Sequence, residues 1–213
     1  MGTTTLQAWV SRARTILQDT TPTRWLDAEL AEWGNDAQRE IAKYQPKAYT
    51  KNLAVVLTAN NSLHTLPSDA NSLISIDRNM GTGGVTIGSV IRRIEKRILD
   101  DQIPEWHNAS PSATVKHYIY NPEDPKRFYT YPPQPGTPNY VQMVYAASPA
   151  DVAIGDAILI DDNYGPSIVD YILYRAYSKD ADYALNDERA KGRYGAFIQG
   201  LLAYDEARKA VSE

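Results

Sequence analysis

Residues 165–213, GPSIVDYILYRAYSKDADYALNDERAKGRYGAFIQGLLAYDEARKAVSE, read as a helical hairpin. Pro166 stands where a first helical turn tolerates proline, because the amide it lacks would be unpaired there anyway. Val169, Ile172, Leu173, Ala176 and Asp180 recur at the three-and-four spacing of one helix face, and Tyr183 and Ala184 continue it. After a polar turn expected at Leu185-Asn186-Asp187, a second stripe follows in Ala190, Tyr194, Phe197, Ile198, Leu201 and Tyr204. Each stripe is one-sided and must dock on another element.

The other end of the chain supplies that partner. Thr5 is placed to cap a first helix whose stripe is Leu6, Trp9, Val10, Ala13, Ile16 and Leu17. Thr20-Thr21-Pro22 breaks it. A second helix is expected from about Leu26 to Tyr44, with Leu30, Trp33, Ala37, Ile41 and Tyr44 inward and Pro46 ending it. The expectation is an α+β chain. Residues 1–50 form an N-terminal hairpin, 151–213 form a C-terminal hairpin that completes a four-helix layer, and 51–150 form a β-rich insertion.

Within the insertion the period changes to alternation. Leu53 to Leu57, Leu63 to Leu66 and Leu73 to Ile76 read as short strands, and Gly81-Thr82-Gly83-Gly84 as a mobile loop. Val90 to Asp101, with Arg92, Arg93, Lys96 and Arg97 around Ile91, Ile94, Ile98 and Leu99, reads as a short helix stopped by Ile103-Pro104. Three stronger strands follow: Tyr118 shares a face with Tyr120, Tyr129 with Tyr131, and Val141, Met143 and Tyr145 alternate with Tyr140, Gln142 and Val144. Asn121 to Pro125 and Pro132 to Gly136 are the turns between them.

The composition narrows the function. Apolar residues are 43% and charged residues 23% of 213, ordinary globular values. No run reaches the roughly 18 apolar residues of a membrane helix, and Met1 to Thr5 carry neither a basic nor an apolar leader region. The absence of cysteine removes disulfides and thiolate chemistry and is compatible with synthesis in a cytoplasm. A net charge of -4 argues against a dedicated nucleic-acid binder. Fifteen tyrosines against two phenylalanines suit surfaces buried only on assembly, or half-exposed strand faces.

A search for chemistry finds little. His64, His107 and His117 have no metal-ligand spacing, the glycine loop lacks the lysine of a phosphate loop, and no serine elbow is present. No catalytic, metal or cofactor site is expected. Asp100-Asp101 and Asp161-Asp162 are paired acids, the second pair directly before a helix, where capping is the simpler role. Two rival readings remain: a cell-wall hydrolase using those acids, and a monomeric binding module presenting Pro132-Pro133-Gln134-Pro135 as a PxxP ligand.

Three stretches carry a more specific likeness: DPKRFYTYPP at 124–133, Val144-Tyr145 with Pro149-Ala150-Asp151, and YILYRAYSKDADY at 171–183. Together with the N-terminal helices and Asp77-Arg78, they resemble the head-to-tail adaptors of short-tailed bacteriophages, the tail tubular protein A type of head-tail connector. The resemblance implies a virion protein made in the host cytoplasm and placed at the head-tail junction. It implies a ring of twelve copies between portal protein and tail nozzle protein, with genome DNA passing through the lumen. Interface anchors expected from residue type are Arg92, Arg93, Trp106, Tyr129, Tyr131, Arg175, Tyr204 and Arg208, with Tyr204 to Glu213 as a portal-docking tail.

Overall fold

A computed structural model of the chain describes residues 2–137, 139–180 and 184–212. In chain order the elements are helices α1 (Leu6–Leu17) and α2 (Asp27–Tyr44), then strands β1 (Thr50–Val56), β2 (Leu63–Thr65), β3 (Ala70–Asn79) and β4 (Arg92–Arg93). Helix α3 (Lys96–Gln102) follows, then β5 (His117–Tyr120), β6 (Arg127–Tyr131) and β7 (Tyr140–Ala147). Helices α4 (Gly165–Lys179) and α5 (Ala184–Ser212) close the chain. The fold is α+β, and the chain divides into two compact units: Met1–Tyr49 with Ser148–Glu213, and Thr50–Ala147.

In the helical unit α4 is the hub, packing against α1, α2 and α5. It buries Ile168, Val169, Tyr171, Ile172, Leu173 and Ala176, a stripe wide enough for three neighbours. Gly165 at its start lies against Trp9, so close that a Cβ there would sit 2.0 Å from the indole. Leu6, Trp9, Val10 and Ala13 of α1, and Leu30, Trp33, Ala37 and Ile41 of α2, are buried as their spacing predicts.

Four local expectations are corrected. Thr5 holds the N-cap position but makes no side-chain cap. The amides of Leu6 and Gln7 instead donate to the carbonyls of Asp156 and Ile154, at 2.9 and 2.7 Å, because the turn at Ala153 to Asp156 brings acceptors to them. Tyr44 is not inward: it is 50% exposed at the helix end, with its hydroxyl 3.3 Å from that of Tyr194. Leu185-Asn186-Asp187 is not the turn but the first turn of α5, where Asn186 Nδ2 donates to the Asp180 carbonyl at 3.2 Å. Of the residues expected to extend the α4 face, Tyr183 lies outside the described residues.

The β unit holds two sheets, ordered β1-β7-β3 and β2-β6-β5-β4. Both neighbours of β7 run antiparallel to it, and its Val141, Met143 and Tyr145 are buried. The fourth correction falls here: Arg92-Arg93 is not helical. The amides of Arg92 and Ile94 donate to the carbonyls of Lys116 and Tyr118 at 3.1 and 3.0 Å, making a two-residue strand parallel to β5. An open sheet edge offered ladder bonds that outweighed local helix propensity, and the helix starts only at Lys96.

The register Ile119↔Tyr129 fixes the faces of the second sheet. Ile119, Tyr129 and Tyr131 pack with Leu99, Trp106, Ile94 and Ile103. Tyr118, Phe128 and Thr130 are buried on the opposite face, with His64 paired to Phe128 across β2 and β6.

Candidate functional site

The residues expected at interfaces are spread over both units, and the structure gives them different environments. Arg92 and Arg93 are exposed on β4, and Arg93 donates to the Tyr120 carbonyl at 3.2 Å. That carbonyl lies where the next ladder bond of β4 would fall, had the chain not turned into α3. Arg93 and Tyr129 line one open cleft of about 840 Å³ with Lys96, Tyr120, Asp124 and Arg127. Its apolar floor, Ile94 and Ile119, is rimmed by charge of both signs.

Trp106 is different. It is fully buried, its Nε1 donates to Asp100 at 2.9 Å, and its ring stacks on His107 with centroids 3.5 Å apart. The indole is spent on the core of the unit. Tyr129 packs edge-on against Trp106, and both Tyr129 and Tyr131 are half-buried supports of that cluster.

In the helical unit Arg175 is half-buried on α4 beside Tyr171, whose phenol is raised by burial and pulled back by that guanidinium. Tyr204 is half-buried on α5, with its ring centroid 4.6 Å from that of Tyr164. The side chain of Arg208 lies outside the described residues.

The paired acids have structural partners. Asp100 accepts from Lys96 Nζ at 2.7 Å as well as from Trp106, and these donors, Lys96 first, hold its carboxyl below the usual range. Asp161 accepts from the Asn163 amide at 2.9 Å and caps a single helical turn ahead of α4. Asp162 clasps the N-terminal segment, accepting from the Thr3 amide at 2.9 Å, the Thr3 hydroxyl at 2.7 Å and the Thr4 amide at 3.1 Å. Those donors, the Thr3 amide foremost, hold its carboxyl at about 2. Pro132, Pro133 and Gln134 are buried, so the PxxP turn faces inward. Among the described residues no three His, Asp or Glu side chains gather as a metal site, and no helix is long and apolar enough to cross a membrane.

Two buried polar networks escape the sequence reading. Arg14, 5% exposed, donates from NH2 to the Trp25 carbonyl and to Asp27, both at 2.6 Å, and from NH1 to Asp19 at 3.2 Å. It locks the α1–α2 connection. Asn79 accepts from the Val115 amide at 2.9 Å and donates to the carbonyls of Ser89 and Val115 at 3.0 and 2.9 Å, anchoring the base of the 80–90 loop. On that loop Val85, Ile87 and Val90 are 82%, 69% and 67% exposed. Short branched runs like these are legible as apolar, but only the tertiary structure shows them outside the core.

No curated protein matches the chain. A family model described as SU10 adaptor protein matches residues 4–212. That span takes in the helical elements at both ends and all seven strands between them. The match covers nearly the whole chain, and the chain belongs to the SU10 adaptor protein family, the structural adaptors of bacteriophage particles.

Proposed function

We propose that this chain is one subunit of a ring, of twelve copies, that joins the portal protein to the tail nozzle protein at the head-tail junction. Genome DNA passes through its lumen without sequence-specific contact. The observation that carries this reading is the shape of α5. At 29 residues it is about twice the length of α4, at 15, its packing partner. The Tyr204 ring leans on that of Tyr164, the residue just before α4, with centroids 4.6 Å apart. The following turns, through Ser212, add about 12 Å of helix at 1.5 Å per residue. A helix that continues beyond the level of its partner's start suits insertion into a groove on the portal. The net charge of -4 supports a conduit that lets DNA move, since a strongly basic lining would hold phosphate.

The test is the mass distribution of the purified protein, alone and mixed with its portal. The expected result is a ring of uniform mass bound to the portal. A monomer that ignores the portal would overturn the proposal.

A further inference from the structure

Most lysines and arginines among the described residues are held by an acid, a carbonyl, a hydroxyl or an aromatic ring. The side chains of Lys47, Arg78, Arg92 and Lys116 have no such partner there. Three of these four meet at one seam of the β unit.

The seam is residues 90–93, which lie between β3 and β5. The Ile91 amide donates to the Asp77 carbonyl at 3.0 Å on one side, and the Arg92 amide to the Lys116 carbonyl at 3.1 Å on the other. Consecutive amides that point opposite ways mark an extended strand, so Val90 and Arg92 share a face. Arg78 stands directly opposite Val90, and Arg92 opposite His117. Arg78, Arg92 and His117 therefore lie on one face. The two arginines are diagonal neighbours, about 7–8 Å apart at that spacing. His117 carries the row on to Tyr131, its partner on β6, with the two rings nearly parallel.

No counter-charge joins the row. Residues 79–94, 106–122 and 125–150 contain no Asp or Glu. Asp77, next to Arg78, accepts from the Ser75 hydroxyl at 2.7 Å and pairs with neither arginine. Arg78 is half-buried and Arg92 exposed, and the buried Nε of Arg78 and Nδ1 of His117 have no acceptor or donor among the described residues. Like charges on neighbouring strands repel, and a half-buried guanidinium without an acceptor costs free energy. An arriving anion removes both costs.

We propose that Arg78, Arg92 and His117 form a phosphate-binding row that takes the backbone of duplex DNA. The inference rests on the conduit reading and names the surface of the subunit that touches the DNA. Charge complementarity selects an anion, and the shape of the site selects a phosphate backbone over an acidic protein segment. Neither the Arg93–Tyr129 cleft nor a second cleft near Trp25 includes a residue of the row, so no pocket reads a partner's side chains. A backbone with evenly repeated phosphates needs only cations at intervals, and such contacts carry no sequence information. Two guanidiniums per subunit hold DNA weakly, as a conduit requires. With two phosphates neutralised, affinity falls about tenfold between about 50 and 200 mM salt.

The experiment uses the full chain, with the arginine Nε–H resonances followed by NMR as a short duplex of random sequence is added. The expected result is a shift of the Arg78 and Arg92 signals that high salt reverses. Arg78→Gln and Arg92→Gln, with their folds checked by the amide spectrum, should each weaken binding and reduce the salt slope by about 1. Shifts confined to other arginines, or variants with wild-type affinity and slope, would overturn the row. Shifts of equal size from polyglutamate would also overturn the DNA assignment, because the row would then suit an acidic protein partner as well. The wild-type titration needs no variant, so misfolding of either substitution cannot obscure the answer. Failure of the ring reading is separate: a chain that binds DNA at the row but forms no ring with its portal leaves the row standing. Variants that form wild-type rings on the portal and bind DNA unaltered leave the ring standing without the row.

Discussion

His64 is 2% exposed and neutral. Its Nδ1 accepts from the Thr58 amide at 3.0 Å, which leaves the proton on Nε2 to donate to Thr130 Oγ1 at 2.8 Å. A protonated ring would lose the first of these bonds and carry charge into the core, and burial holds the pKa at about 4 against an ordinary 6.5. Above pH 6.5 both folded and unfolded chains are neutral at this position. Below it the unfolded chain takes up a proton that the folded one refuses, so stability falls as pH drops from about 6.5 to about 4. The total is about 3 kcal/mol. Urea melts at pH 7 and pH 4.5 should show a larger loss for wild type than for His64→Gln; equal losses would remove His64 from the acid response. Nothing in the Leu63-His64-Thr65 triplet announced this role. The same holds for Arg14 and Asn79, whose partners are supplied by loops that only folding brings near.

Contact between elements turns on single atoms in the helical unit. Gly165 lets the start of α4 rest on the Trp9 ring of α1, and a Cβ there would meet ring carbons at 2.0 to 2.3 Å. Indole is rigid and here 5% exposed, so it has nowhere to retreat. Gly165→Ala should therefore destabilise the protein by about 2 kcal/mol, the scale of overpacking in a filled core. Thermal melting reads this directly, and an unchanged midpoint would mean that α1 and α4 can slide apart freely. The greater part of each apolar stripe in α1, α2, α4 and α5 was legible from spacing alone, because a helix face is a local property, but Ile16, expected in the α1 stripe, is 43% exposed at the helix end. The hub role of α4 was not, since several pairings would bury the same stripes. Arg92-Arg93 shows the same limit: helical by its neighbours in sequence, a strand by its neighbour in space.

For the whole molecule, the reach of α5 makes the sharpest prediction. A chain ending at Asp205 keeps Phe197, which packs on Tyr171 of α4, the buried Leu201, and Tyr204 against Tyr164. It should melt close to the full chain yet fail to be retained on immobilised portal. Retention equal to the full chain would place the portal contact elsewhere on the subunit. The α+β class, most of the helix and strand positions and the adaptor resemblance were readable in the chain alone, because periodicity, turn residues and local motifs are written within a few positions of one another. Only long-range contacts place Trp106 in the core and set the paired acids to clasp and cap. Those are questions of which surfaces remain after everything else has packed. A residue type states only what a side chain is able to bury, and long-range contacts settle whether it does.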